Sequence, residues 1–208
     1  LVMPRLGLGG SVLFEVLSHR NAQKPAELIR GLEADLAKLA ANGLLNADEL
    51  LSDQRFIDAV LTGCAIARYT YRAEKIQRIR NALVFCALES PSEDEVDSFF
   101  HLLDQLSEEC FIVLEIVSDH LAEFATVDTM VQFYEVFRKY YPRFSKDAFG
   151  HYLNELKYRR LVRISDNIKD TDGLKSAAFL LLEAGTDGEK IIISDVAKQL
   201  LTVTANRH

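Results

Sequence analysis

Cysteine is scarce in this 208-residue chain: Cys64, Cys86 and Cys110 lie far apart among apolar residues, with no CxxC spacing. That excludes a disulfide framework and a cysteine-bound zinc, and the expectation is buried, reduced thiols in a cytoplasmic protein. Long apolar runs are missing too. None approaches the ~18 residues needed to cross a bilayer, so no integral membrane segment is expected. The N-terminus lacks a basic stretch followed by an apolar core, so no signal peptide is expected. The sequence opens on Leu1 rather than Met, which leaves residues upstream of it open.

Catalytic signatures are equally sparse. The histidines His19, His101, His120, His151 and His208 show neither HExxH nor HxH spacing and have no cysteine at ligand spacing, against a metal centre. There is no GxSxG elbow, and no cysteine sits at a helix start or in a basic setting that would mark a nucleophile. Gly7, Gly9 and Gly10 open the chain without the GxGxxG or GxxxxGK[ST] spacing of a phosphate-cradling loop. The expectation is no metal, no cofactor and no enzyme activity. A paired-acid hydrolase stays open, because such carboxylates come from distant positions.

What is present is an ordinary globular balance, 49% hydrophobic and 26% charged. The net charge of −7 and a pI near 5.3 argue against a surface coated for general nucleic-acid binding. Helical periodicity dominates the first half. Pro25 suits the first turn of a helix running to about Ala41, with Leu28, Leu32, Leu36 and Leu39 as its stripe and Gly43 as its C-terminal cap. A short helical connection follows, then an apolar side of Phe56, Ile57, Val60, Leu61, Cys64 and Ile66. In the same stretch Ala59, Gly63 and Ala67 recur every four residues, a small-residue row that lets another helix approach closely. Ile76, Ile79, Leu83 and Cys86 continue at helical spacing to Pro91. Ser92 and Glu95 form a capping box before Val96, Phe99, Phe100 and Leu103. The acids Glu93, Asp94, Glu95 and Asp97 are what a helix dipole favours in a first turn and need no metal to explain them.

From Ser107 the pattern changes. Two apolar helices precede Pro142, and Ser145 caps a third, SKDAFGHYLNELKYRRL. After it LVRIS, AFLLLEA (178–184) and III (191–193), separated by the turns NIKDTDGLKSA and GTDGEK, read as two or three short strands. ISDVAKQLLTV closes the chain as a helix capped by Ser194 or Asp195. The expected fold is mainly α: an N-terminal helical domain over 1–106, then a winged-helix-like α+β C-terminal domain over 107–208.

The third helix carries the sharpest functional question. Ala148, Phe149, Tyr152, Leu153 and Leu156 share one apolar face, while Lys146, Gly150, His151, Asn154, Lys157 and Tyr158 fall on or near the other. In a helix-turn-helix the outward side chains of such a helix meet base edges. His151 and Asn154 would then read bases, and Lys146, Lys157, Arg159 and Arg160 would hold phosphates. From Arg138 to Lys169 nine Lys or Arg stand against three acids, a local balance of +6 that leaves about −13 for the remainder. Such concentration is the footprint of a phosphate-binding module. Against it, Asp147 and Glu155 share the helix and repel a duplex, and the same fold serves as a protein-docking module. The leading expectation is therefore a non-enzymatic interaction protein with a protein partner or self-association, and the alternative is a DNA-binding regulator. Peripheral membrane contact through the glycine-rich start has only Arg5, His19 and Arg20 beside it, too few for firm attachment.

The order of segments also resembles a known group. An apolar, glycine-rich start is followed by HRNAQKPAELIRGLEADLAKLA, RFIDAVLTGCAIARYTYRAEKIQRIRNALVFCAL, EDEVDSFFHLLDQLSEECFIVLEIVSD and FGHYLNELKYRRLVRIS. This is similar in outline to the abortive-infection alpha proteins of bacteria, most strongly over 55–88 and 96–118. The resemblance implies a role in phage defence or another stress response without a known activity. It brings packing patterns and no catalytic residue to carry over.

Overall fold

A computed structural model describes residues 23–164 and 191–205. Among them the chain is mainly α, with ten helices and one two-stranded sheet. No helix among the described residues is long and apolar enough to cross a membrane. The glycine-rich start, the strand expected over 178–184 and the turn over 185–190 lie outside the described residues. The chain divides into two compact units, one of residues up to 106 together with 203 onward, the other of residues 107–202.

The first unit contains α1 (Gln23–Ala41), α2 (Ala47–Ser52), α3 (Gln54–Arg68), α4 (Ala73–Glu89) and α5 (Glu93–Gln105). In α1, Leu28, Ile29, Leu32 and Leu36 are buried. The helix ends where Gly43 takes φ +71° and the Leu44 N–H donates to the Leu39 carbonyl at 3.0 Å, a left-handed closure that glycine adopts without steric cost. At α5 the Ser92 N–H donates to Glu95 Oε2 at 2.9 Å while the Glu95 N–H reaches Ser92 Oγ at 3.4 Å. The bonds from the Ser92 backbone and hydroxyl hold the Glu95 carboxyl below its usual range.

Helix α3 is the centre of this unit and packs against α1, α4 and α5. Its small-residue row makes that possible. Ala59, Gly63 and Ala67 are buried, and a Cβ on Gly63 would stand 3.0 Å from Ile79 Cγ2, 3.3 Å from Leu83 Cδ1 and 3.4 Å from Phe100 Cε1. Two expectations are corrected. Ile57 is only half-buried and Leu61 is 40% exposed, because the small-residue side, and not the large apolar side chains alone, faces the neighbouring helices.

A buried ion pair crosses this core. Asp35 of α1, 5% exposed, lies 3.0 Å through Oδ2 from Nε of Arg80 on α4 and 3.8 Å through Oδ1 from Lys38. Oδ2 and Nε stand at ion-pair distance with the N–H misaligned, so neither makes a hydrogen bond. Gly31 gives the guanidinium its place, since a Cβ there would sit 2.5 Å from Arg80 Nη1.

The second unit contains α6 (Glu108–Asp119), α7 (Leu121–Phe124), α8 (Met130–Tyr140), α9 (Lys146–Tyr158), β1 (Val162–Ile164), β2 (Ile191–Ile193) and α10 (Asp195–Thr204) up to residue 202. Side chains cap its helices at Ser107, Thr129 with Gln132, and Ser145, while Ser194 Oγ accepts from the Ala197 N–H at 3.2 Å at the start of α10. Phenyl rings fill the core: Phe124 and Phe133 have centroids 4.5 Å apart, as do Phe137 and Phe149. β1 and β2 pair antiparallel, Val162 with Ile193 and Ile164 with Ile191. These four are buried and Arg163 points outward, as period-two alternation requires.

Replacing Arg80 by Met should strand the buried Asp35 carboxylate and cost about 2–3 kcal/mol, somewhat below the usual range for a broken buried pair because Lys38 is near. The double replacement Asp35→Leu with Arg80→Met should recover most of that loss. Urea unfolding midpoints of the two single variants and the double variant check the cycle.

Candidate functional site

Helix α9 is placed by its apolar stripe. Phe149 packs against Phe133, Tyr134 and Phe137, and Leu153 and Leu156 are buried beside it. The buried face is turned relative to the expected one: Ala148 and Tyr152 are only half-buried. Gly150 and Lys157, expected near the outward side, are both buried, Lys157 at 8% exposure. Gly150, Leu153 and Lys157 follow one another at spacings of three and four, so they form a second inward row beside Phe149 and Leu156. Lys157 is therefore not displayed as a phosphate contact requires.

The remaining residues of the expected DNA-reading set are spread along the helix. His151 and Arg160 are exposed; Lys146, Asn154 and Arg159 are half-buried. Arg159 Nε lies 3.4 Å from Glu155 Oε1, and the thiol of Cys110 on α6 donates to Glu155 Oε2 at 3.3 Å. Glu155 thus ties α9 to α6 and occupies one of the cations expected to meet phosphate. Another basic side chain of the Arg138–Lys169 stretch is paired at α8, where Lys139 lies 3.3 Å from Glu123. Glu123 also accepts the Tyr140 hydroxyl, and the His120 ring stacks on Tyr140 at 3.6 Å. The Tyr140 bond, then that of Lys139, holds the Glu123 carboxyl below its usual range. Among the described residues of this unit, Arg138, Arg143, Arg160 and Arg163 are exposed, as are Lys139 and Lys198, which are paired with Glu123 and Asp195.

Arg160 has an unusual backbone. After α9 the Arg160 N–H donates to the Lys157 carbonyl at 2.8 Å and the Leu161 N–H to the Leu156 carbonyl at 2.9 Å, the closure that Gly43 makes after α1. Arg160 makes it at φ +59°, where a side chain costs roughly 1–2 kcal/mol. Tyr158, 83% exposed, stands beside it.

The first unit presents a different surface. Between α3 and α4, Tyr69 and Tyr71 are 75% and 94% exposed, whereas Thr70 between them is 8% exposed and donates through Oγ1 to the Ile66 carbonyl at 2.9 Å. Lys75, in the first turn of α4, donates to the carbonyls of Asp104 and Leu106 at 2.8 and 3.0 Å. The turn is fastened on both sides. Arg68 and Arg72 flank it, both exposed. The turn carries neither alternation nor a cap motif, and its sequence signal is two tyrosines and two arginines around one threonine.

None of the three thiols is set up as a nucleophile. Burial pushes Cys64 up to about 11 and Cys86 to about 12. Burial, with Glu155 adding to it, pushes Cys110 to about 12. Among the described residues no group of three or more His, Cys, Asp or Glu is placed to hold a metal ion. Comparison of the chain with protein-family models, curated proteins and solved structures finds no match in any of the three.

Replacing Arg160 by Gly should raise stability by about 0.5–1 kcal/mol, since it removes the left-handed strain at a small entropic cost. The shift in urea midpoint of the full chain measures it.

Proposed function

We propose that this protein is a non-enzymatic interaction protein, an adaptor whose first unit docks a protein partner. The observation that carries this reading is the turn of Tyr69 and Tyr71, two broad rings held in solvent by a backbone whose own threonine is buried and bonded. Rigid tyrosines flanked by arginine are the side chains that dominate binding energy at interfaces, because little rotamer freedom is lost when they are covered. The high, burial-raised range of the three thiols supports the same reading. We take the second unit to be winged-helix-like and a rigid scaffold, a reading supported by the order α6, α8, α9, β1, β2, α10. The resemblance to abortive-infection alpha proteins supports a cytoplasmic setting in phage defence or a stress response.

A DNA-binding regulator is the second reading, favoured by one observation, the strained Arg160 with exposed Tyr158, His151 and Arg163 near it in sequence. The burial of Lys157 and the Arg159–Glu155 pair count against it.

The variant Tyr69→Ala with Tyr71→Ala tests the first reading. A partner that co-purifies in stoichiometric amount with the parent should be lost from the variant, with binding weakened by about 2 kcal/mol or more per essential ring and the melting temperature unchanged. Retention of every co-purifying protein would overturn it. In parallel, anisotropy with random duplex DNA at low salt should show no difference between the parent and Arg160→Gly. A steep salt dependence lost in that variant would favour the DNA reading.

A further inference from the structure

Two helices of the first unit face one groove with rows of the same period. From α3 come Thr62 and Ile66, and from α5 come Asp97, His101 and Asp104. The groove is open along its length and holds about 520 Å³. Its floor is apolar, with Ile66 8% exposed and Phe100 1% exposed, and Asp97, His101 and Asp104 on its rim are exposed. Tyr69, the residue that ends α3, follows Thr62 by seven residues, two helical turns, so the helix leaves it beyond the groove's end, one turn after Ile66 and outside the lining. Lys75 fixes that end, since its ammonium bonds the backbone carbonyls of Asp104 and Leu106 and leaves the Asp104 carboxylate to the rim. Neither Asp97 nor Asp104 has a side-chain hydrogen bond or ion pair among the described residues.

An apolar floor beneath two carboxylates suits a side chain with an aliphatic stem and a cationic head. Asp97 and Asp104 are seven residues apart on one helix, a separation of about 10 Å. A polyproline-II segment advances about 9 Å in three residues and returns to the same side. Two cationic side chains at positions i and i+3 of such a segment would each meet one carboxylate, and their backbone would run toward the ring of Tyr69. The openness of the groove favours a chain over an enclosed small molecule.

We propose that the α3–α5 groove binds an extended, basic peptide segment of a partner protein, with Lys or Arg three residues apart read by Asp97 and Asp104 and its end packed on Tyr69. This rests on the adaptor reading and names the chemistry of its partner.

The test is fluorescence anisotropy of the full chain with a fluorescein-labelled nine-residue peptide, arginine at every third position and proline between. The expected result is saturable binding to the parent, weakened roughly tenfold or more in Asp97→Asn with Asp104→Asn and several-fold in Tyr69→Ala. The control Glu33→Gln with Glu49→Gln, an equal change of net charge on exposed side chains, should stay within about twofold of the parent. All four substituted acids are exposed, so melting temperatures should agree. Absence of binding to the parent, equal loss in the control, or displacement of the peptide by spermidine at equal concentration would each overturn the proposal. Failure here, with a partner still captured in a Tyr69- and Tyr71-dependent way, would reject the groove chemistry and leave the adaptor reading standing.

Discussion

The first unit depends on how closely α3 approaches its neighbours. Gly63 stands where even one methyl group would press on Ile79, Leu83 and Phe100, so the helices meet at a distance set by backbone and not by side-chain bulk. That approach has two consequences. It buries Ala59 and Ala67 and turns Leu61 outward, and it draws α5 alongside α3 so that Thr62 and Ile66 share a groove with Asp97 and Asp104. The tyrosine turn inherits its position from the same packing, because Thr70 returns its hydroxyl to the last turn of α3 while Lys75 ties the next helix to the end of α5.

The second unit is organised by a different force. Its phenyl rings pack against one another at tilts of 33–35° around Phe133, Phe137 and Phe149, and aromatic burial of this kind supplies both area and orientation. The orientation of α9 follows from that cluster. Once Phe149 and Leu153 are seated, Gly150 and Lys157 are carried inward, and the outward surface left to α9 holds fewer cations than its sequence contains. Glu155 then takes Arg159 and the Cys110 thiol. The charge concentrated between Arg138 and Lys169 is thus partly spent inside the unit, which is why a local balance of +6 overstates what a duplex would meet.

Much of the fold was legible because caps and periods are local properties. Ser92 with Glu95, Ser145 and Gly43 announce helix ends through hydrogen bonds made within a few residues, and the Ala59–Gly63–Ala67 row announces a close crossing. The contacts that escaped the sequence are those between residues far apart in it. Nothing around Asp35 points to Arg80, because a buried ion pair has no spacing rule across two helices. The groove escaped for the same reason, since the three α5 residues looked like an ordinary exposed face until α3 was laid beside them. The mistake at Lys157 was of another kind. The expected face of Ala148, Phe149, Tyr152, Leu153 and Leu156 is turned by about one position in the structure, so that Ala148 and Tyr152 are half-buried while Gly150 and the lysine stem are covered.

Docking through Tyr69 and Tyr71 requires the tyrosine turn to be a rigid extension of the α3 core. Native-state hydrogen exchange of the full chain reads this directly, because the Tyr69 and Thr70 amides donate to the carbonyls of Ile66 and Ala67 at 3.1 Å. If the turn is rigid, the Thr70 amide exchanges only when the whole unit opens, with the same free energy as the amides of Ala59 to Ala67. Exchange of Thr70 at the rate of an open loop, while those α3 amides stay protected, would contradict it.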